Sequence, residues 1–229
     1  MNDTITIARR VASPQSAFDE ARTEWPDRPT LTWWTIDRPV LVLGSAQPMS
    51  IVDLGAAARA GVEVVRRCSG GGAVLLAPND VVWADLVISP TDTRWSDDIV
   101  VAAHWVGDAW RSALIDLGVQ EQALFLHAGR SVRTRWSDLV CFAGLGPGEL
   151  TLGGRKVLGI AQRRSRAGAR FQMALLRRWE PTAIVDLLVL GPSERREAES
   201  ALNDIANGID FTVADIQAAA EGFLAIGSA

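Results

Sequence analysis

The amino-acid sequence predicts an α+β fold, in which a mixed, largely antiparallel sheet is flanked by helices. Two observations predict this fold. Short runs rich in β-branched and aromatic residues follow one another with only turns between them, which is typical of hairpins rather than of a βαβ repeat. Helical spacing of apolar residues is confined to a few segments, half of them near the C-terminal end. The 229 residues, 48% of them hydrophobic, suffice for a core without disulfides, and we expect a single domain over residues 1–229.

The first half of the chain is predicted to mix strands with three helices. A short helix is expected around residues 16–23, an Ala-rich helix at 51–59 with Gly61 at its C-terminal cap, and a long helix at 97–117. Ser96 is the predicted N-terminal cap of the long helix, and Gly118 ends it. The candidate strands, each bounded by turn-forming residues, are 31–36, 40–43, 62–65, 73–76 and 82–88.

The second half is predicted to contain hairpins followed by a helical end. The Gly153-Gly154 pair is a strong signal for a two-residue hairpin turn. The candidate strands are 139–142, 149–152, 155–161 and 170–176. The candidate helices are 181–188, 193–203 and 213–224.

Composition and charge exclude several classes of function. A net charge of −4, without a basic run longer than a pair of arginines, disfavours a nucleic-acid-binding protein. The N-terminal segment has no apolar signal region, and the longest apolar runs are short and contain Asp, so we expect a cytoplasmic protein that does not interact with membranes. The two cysteines and two histidines have no metal-ligand spacing, so no metal site is predicted.

A glycine cluster follows the fourth candidate strand, and residues 65–74 read VRRCSGGGAV. Consecutive glycines are costly to order, and they suit a position where backbone N–H groups approach a ligand closely. Arg66 and Arg67 would add positive charge for a phosphate or a carboxylate. A flexible hairpin loop with solvated arginines is the alternative interpretation of the same pattern.

Lys156 is the single lysine among 23 basic residues, and it begins the strand after the Gly153-Gly154 turn. Strand alternation predicts that Lys156, Leu158 and Ile160 share one face, with Val157 on the other. At the edge of an apolar cavity, the compact ammonium would stabilise an oxyanion without the bulk of a guanidinium. A solvated surface cation is the alternative.

Cys141 lies in the candidate strand 139–142 and also has two interpretations. A lone cysteine in an apolar strand is most often a buried core residue. Alternatively, Cys141 is a thiol nucleophile, which needs a nearby cation, and Lys156 is the candidate for that cation.

Three motifs together resemble one family. They are VLVLGSAQ at 40–47, RRCSGGGAV at 66–74 and GRKVLGIAQ at 154–162. In order and spacing they resemble the lipoate–protein ligase and octanoyltransferase superfamily, relatives of the biotin–protein ligase catalytic domain. The resemblance covers about residues 30–180, and it implies a catalytic domain of that fold, here without a C-terminal accessory domain.

The resemblance also implies an activity and a site. The activity is attachment of a lipoyl or octanoyl group to a lysine of an apo lipoyl-domain protein or a glycine cleavage H-like protein, with ATP and Mg²⁺. By position, Lys156 matches the essential lysine of the family. The implied substrate- and nucleotide-binding residues are Arg66, Arg67, Ser69, Gly70, Gly71, Gly72, Ala73, Gly159 and Ala161.

Three functions follow, and the sequence leaves them open. The leading hypothesis is a ligase that uses free lipoate or octanoate through an acyl-adenylate. The second is an octanoyltransferase that takes its acyl group from acyl carrier protein through a thioester on Cys141, because Cys141 is placed like the nucleophile of cysteine-dependent octanoyltransferases. The third is a non-catalytic relative that binds an acyl group or a cofactor, since Leu75, Leu76 and Ala77 replace the aromatic-His-Asp segment that many ligases carry. A biotin ligase is a weaker alternative.

Overall fold

A computed structural model describes residues 4–11 and 25–226, so the helix predicted at 16–23 lies outside the described residues. Strands and helices alternate irregularly along this part of the chain, which confirms the predicted α+β class. The strands are β1 (Thr6–Val11), β2 (Thr30–Thr35), β3 (Val40–Leu43), β4 (Glu63–Arg66), β5 (Val74–Leu76), β6 (Val81–Ile88), β7 (Leu124–Leu126), β8 (Leu150–Leu152), β9 (Arg155–Ser165) and β10 (Gly168–Leu176). The helices are α1 (Leu54–Arg59), α2 (Ile99–Asp116), α3 (Pro181–Val185), α4 (Pro192–Asn203) and α5 (Val213–Ile226).

The strands form two sheets. The larger has the order β1-β2-β6-β10-β9-β8-β7 and is antiparallel except for the β1–β2 pair. The smaller has the order β4-β3-β5, with β3 parallel to β4 and antiparallel to β5. The predicted mixed, largely antiparallel arrangement is therefore confirmed.

Alternation along the strands builds four layers. In β6, Val82, Ala84 and Leu86 belong to the core against α2 and α5, whereas Trp83 belongs to the core between the sheets. In β3, Val42 faces the larger sheet, and its neighbours pack against α1, α3 and α4. The order is therefore helices, larger sheet, smaller sheet, helices, and the space between the two sheets is where a ligand cavity can form.

Two predicted helix starts differ from the structure. Asp98, not Ser96, caps α2, because its carboxylate accepts from the backbone N–H groups of Val100 and Val101. The segment 51–59 is helical only from residue 54 onward, because Val52 is extended and bridges to Leu188.

The strand predicted at 139–142 is wrong. Val140 makes one isolated parallel bridge to Ala73, and the chain then turns into a short 3-10 helix, Cys141–Ala143. The apolar composition of this run favours a strand. However, its one paired residue, Ala73, belongs to the glycine loop, and no further strand pairing follows the bridge. Cys141 consequently lies at the start of a turn, directly against the glycine loop.

Strands β1 and β7, at the two edges of the larger sheet, were not predicted. Among residues 4–11 and 25–226, none of the helices is both long enough and apolar enough to cross a membrane. The organisation of 1–229 as a single domain stays a prediction.

Candidate functional site

An apolar cavity of about 420 Å³ lies between the two sheets, which we call the slot. Its walls come from β3, β5, β6, β9, β10 and the Cys141–Ala143 turn. The hydrophobic lining includes Val42, Val74, Leu76, Trp83, Phe142 and Ala174. Gly159 and Ala161 line the slot on β9, where the lack of a large side chain leaves the space open.

A polar cleft of about 670 Å³ adjoins the slot. Arg67, Cys141, Ile160 and Ala161 line both cavities, so the slot opens into the cleft. The cleft is also lined by Ser69, Gly70, Gly71, Gly72, Arg133, Glu149, Lys156 and Gln162. The fold thus brings the predicted glycine loop and the predicted lysine to one place.

Lys156 is buried at the junction, with 3% of its surface exposed. Its Nζ lies 2.6 Å from Oε2 of Glu149, and it donates to the backbone carbonyls of Gly144 at 3.0 Å and Cys141 at 3.3 Å. It also lies 5.0 Å from the centre of the Phe142 ring. The interpretation of this lysine as a solvated surface cation is therefore wrong.

The predicted face of Lys156 is also wrong. Leu150 pairs with Leu158 and Thr151 pairs with Lys156, so Val157 is an extra residue, a β-bulge. The bulge reverses the alternation and places Lys156 on the slot side with Gly159, while Val157 and Leu158 both enter the helix-side core. A one-residue bulge leaves no trace in a short apolar strand, so alternation alone assigned the wrong partners.

Glu149 is a site residue that the sequence analysis missed. Its Oε2 also accepts from the backbone N–H of Gly146 at 2.6 Å, and its Oε1 accepts from the N–H of Ile160 at 3.0 Å. The carboxylate therefore fixes the ammonium and ties the 146–149 turn to β9. In sequence Glu149 follows Gly-Pro-Gly, which is typical of a solvated turn, and no local signal distinguishes it.

The buried Lys156–Glu149 pair gives a first testable prediction. Glu149→Gln should lower the free energy of unfolding by about 3 kcal/mol, because an ammonium without its counter-charge is costly in a buried site. Urea unfolding followed by circular dichroism measures this change. The control is Glu197→Gln in the exposed pair with Arg135, which should cost about 0.5 kcal/mol or less. Equal losses in the two variants would contradict a stabilising role for the buried pair.

The glycine loop presents unpaired backbone donors to the cleft. Within the described residues, the N–H groups of Gly70, Gly71 and Gly72 make no hydrogen bond to the protein. Gly71 has φ +98, a conformation that favours glycine, and a Cβ at Gly44 would lie 1.9 Å from the Gly71 carbonyl oxygen. The glycines therefore allow close packing at the loop and leave donors suited to an anion.

The two loop arginines brace the backbone. The Nη2 of Arg67 donates to the carbonyls of Gly70 and Gly72, both at 2.8 Å, and the Nη1 of Arg66 donates to the carbonyls of Gly44, Ser45 and Gln47. Arg67 lines the slot and the cleft, but Arg66 lines neither. The predicted contact of Arg66 with the ligand is therefore corrected to support of the loop from behind.

Ala73 is also corrected. It is fully buried, its N–H donates to the Leu139 carbonyl, and its carbonyl accepts from the Cys141 N–H. Its place is in the core outside the smaller sheet, so it anchors the Cys141 turn rather than lining the slot or the cleft.

The thiol of Cys141 is partly exposed and faces both cavities. Its nearest charged donor is Nη2 of Arg67, 3.9 Å from Sγ. Lys156 instead contacts the backbone carbonyl of Cys141. The predicted cation beside the thiol is therefore Arg67 and not Lys156, and the interpretation as a wholly buried core cysteine is wrong.

A polar chain runs from the loop into the larger sheet. Ser69 Oγ donates to Oε1 of Gln172 at 3.1 Å, and Gln172 is the cross-strand partner of Asp85. Arg170 pairs with Asp85 at 2.9 Å. Burial raises the pKa of Asp85, opposed by the charge and hydrogen bonds of Arg170. These contacts connect Ser69 to the buried Arg170–Asp85 ion pair. The spacing of these residues in the sequence does not indicate the connection.

Comparisons with known proteins identify the family. The sequence matches the lipoyl protein ligase A/B catalytic domain over residues 11–220. None of the curated proteins matches the sequence.

Among the described residues no cluster of three or more His, Cys, Asp or Glu side chains suited to a metal ion is present.

Solved structures share the fold at low identity. A bi-partite lipoate protein ligase from Thermoplasma acidophilum, solved in work on an archaeal lipoylation system that includes its E2 lipoyl domain, has a TM-score of 0.75 at 17% identity, covering 96% of this chain and 82% of that one. A putative lipoate protein ligase from T. acidophilum with bound lipoic acid has a TM-score of 0.68 at 19% identity, covering 96% and 82%. Lipoate-protein ligase A bound with ATP has a TM-score of 0.67 at 19% identity, covering 96% and 83%. The family match spans most of the sequence, and the chain therefore belongs to the lipoyl protein ligase A/B catalytic domain family.

Proposed function

We propose that this protein attaches a lipoyl or octanoyl group to a lysine of a lipoyl-domain protein, through an acyl-adenylate made from the free acid and ATP. One observation carries the proposal: an apolar slot opens at the buried Lys156 into a polar cleft walled by the glycine loop. An acyl chain and a charged head group need adjoining sites of these two kinds.

The slot suits the acyl chain. Its lining is almost wholly apolar, which suits a hydrocarbon chain. The chain would lie over Gly159 and Ala161, with its carboxyl group at the mouth between Cys141 and Arg67. This orientation places the reacting carbon beside Lys156.

The cleft suits the nucleotide. The free N–H groups of Gly70, Gly71 and Gly72 and the exposed guanidinium of Arg133 at the rim are donors for phosphate oxygens. Glu149 is the acidic residue of the cleft lining and is engaged with Lys156, so Mg²⁺ would arrive with the phosphates rather than at a site of its own.

The chemistry requires an adenylyl transfer followed by an acyl transfer. The carboxylate of the acid attacks the α-phosphate of ATP, and pyrophosphate leaves. The neutral amine of the acceptor lysine then attacks the acyl carbonyl, AMP leaves with the bonding electrons, and the amine loses a proton. Negative charge grows on the carbonyl oxygen, and the Lys156 ammonium can follow it by exchanging its longest contact, the 3.3 Å bond to the Cys141 carbonyl.

The family and the fold support a lipoyl-domain protein as the acceptor. One structure of the same fold comes from work on a lipoate ligase and its E2 lipoyl domain, which supports a lipoyl-domain partner for this chain. The test is incubation with octanoate or lipoate, ATP, Mg²⁺ and an apo lipoyl domain, followed by intact mass of the domain. A mass gain that requires ATP is expected, and no gain with either acid would overturn the proposal.

A second candidate activity is favoured by Cys141. Its Sγ lies at the mouth of the slot, 3.9 Å from Nη2 of Arg67, where an acyl thioester could form. In that route the thiolate attacks octanoyl-acyl carrier protein, the carrier thiol leaves, and the lysine amine then displaces the Cys141 thiolate.

Cys141→Ala separates the two routes and gives a second prediction. With ATP and octanoate, the variant should keep acyl transfer within about threefold of the parent, since alanine removes only a weak sulfur contact. Cys68→Ala is the matched control. If transfer instead requires acyl carrier protein and vanishes in Cys141→Ala alone, together with a protein adduct of octanoyl mass, the thioester route replaces the ligase route.

A further inference from the structure

A second apolar cavity, which we call the distal cavity, lies directly behind the slot. Its volume is about 490 Å³. Val74 and Phe142 line both cavities, so these two side chains form the wall between them. The proposed mechanism does not use this space, although Ala73 and Val74 of the glycine motif line it.

The distal cavity has the chemistry of a hydrocarbon site. Its inner lining is apolar and comes from β5, β6, β10 and α3, including Val81, Val140, Leu176 and Ile184. Its charged residues are Asp80, Arg178 and Glu180, and Asp80 and Arg178 form an exposed pair. A chain passing the wall would therefore find an apolar interior that ends near a solvated rim.

The wall is held in place by its neighbours. Phe142 is 1% exposed and packs against the Trp179 ring, with 5.8 Å between ring centres. The Lys156 ammonium lies on the same ring. Val74 is fixed by the pairing of β5 with β3, opposite Val42. Neither side chain can swing aside without disturbing buried packing.

We propose that Phe142 and Val74 set the upper length of the acyl chain, and that the distal cavity is a latent subsite for the end of a longer chain. The inference rests on the proposed function, because it assigns the slot to the acyl group. Each methylene buried in such a site strengthens binding roughly fourfold. If a smaller side chain replaces part of the wall, the end of a longer acyl chain can enter the distal cavity, and its affinity should rise instead of being reduced by a clash with the wall.

The measured quantity is the ratio of kcat/KM for dodecanoate to kcat/KM for octanoate in the ATP-dependent transfer. A ratio is insensitive to a general loss of activity, which matters because Phe142 touches Lys156. Val74→Ala and Phe142→Leu should each raise the ratio by about tenfold or more, since a few newly buried methylenes supply that factor.

Two further variants test the geometry. Val189→Ala changes an exposed side chain that lines neither cavity, so its ratio should stay within about threefold of the parent. Ala183→Trp at the edge of the distal cavity should cancel the gain of Val74→Ala when the two are combined. An unchanged ratio in both Val74→Ala and Phe142→Leu, with octanoate still used, would overturn the inference.

Failure of the proposed function is recognised separately. If the parent transfers no acyl group, the same ratio is measured for binding of octanoate and dodecanoate, through quenching of the fluorescence of Trp83 in the slot. A tenfold rise in the binding ratio of the wall variants supports the inference without the enzyme activity. If neither octanoate nor dodecanoate binds, both the inference and the proposed function are overturned.

Discussion

Lys156→Arg is expected to reduce ATP-dependent acyl transfer by about 100- to 1,000-fold, the loss that follows removal of one oxyanion donor. The ammonium is enclosed by Glu149, by the carbonyls of Cys141 and Gly144, and by the Phe142 ring. A planar guanidinium is larger and presents its donors in a fixed fork, so it cannot occupy this space and also follow the carbonyl oxygen.

The measurement is single-turnover transfer of octanoate to an apo lipoyl domain at saturating substrate, which separates the chemical step from binding. The matched control is the reverse exchange one position earlier, Arg155→Lys, because Arg155 is half exposed and pairs with the exposed Asp204. The control should keep the rate within about threefold. Transfer by Lys156→Arg at the rate of the control would remove Lys156 from the mechanism.

Gly72→Ala is expected to have the second largest effect. A Cβ at this position would lie 2.6 Å from the carbonyl carbon of Val140, 2.7 Å from the Cys141 nitrogen and 2.8 Å from the Ser137 oxygen. All three are backbone atoms, so the loop and the Cys141 turn must move apart. We expect a loss of about 2 kcal/mol in the free energy of unfolding and at least about 100-fold in transfer, because misplacement by about 1 Å is enough for such a loss.

Gly70→Ala is the control for Gly72→Ala. A Cβ at Gly70 meets no atom within 4 Å, and its φ is not in the left-handed region. Both variants reduce the conformational entropy of the unfolded chain to a similar extent. The difference between their losses in stability and in transfer therefore isolates the effect of packing at Gly72. Similar losses in both would show that flexibility, rather than the contact with the Cys141 turn, sets the function of the loop.

The sequence predicted the parts of the fold that depend on local pattern. The hairpin at Gly153-Gly154 was predicted because glycine tolerates positive φ. In the structure φ is +59 at Gly153 and +82 at Gly154. The long helix was predicted from the helical spacing of its apolar residues, although Ile99 in its first turn is 60% exposed. Strand β7 has three residues, too few for a periodic signal.

The site was predictable where a residue type is itself unusual, as for the glycine loop and the single lysine. What could not be predicted depends on pairing across the chain. The bulge at Val157 exists because β9 has one more residue than β8 between the Leu150–Leu158 pair and the Thr151–Lys156 pair, and the partner of Lys156 comes from the turn before β8. The bracing by Arg67 is local, since its acceptors lie three and five residues further along the chain, but the same sequence pattern fits an arginine that reaches out to a ligand.

The burial of Lys156 would protect the protein from acylating its own lysine. An activated acyl group in the cleft would meet one side-chain amine, and that amine is held by Glu149 with 3% of its surface exposed. The other basic side chains are guanidinium groups, which are poor acceptors of acyl groups at neutral pH. The folded protein therefore exposes no lysine amine to acyl donors, so an amine-reactive reagent should leave the buried Lys156 unlabelled, and gain of a label at Lys156 reports directly on opening of the site.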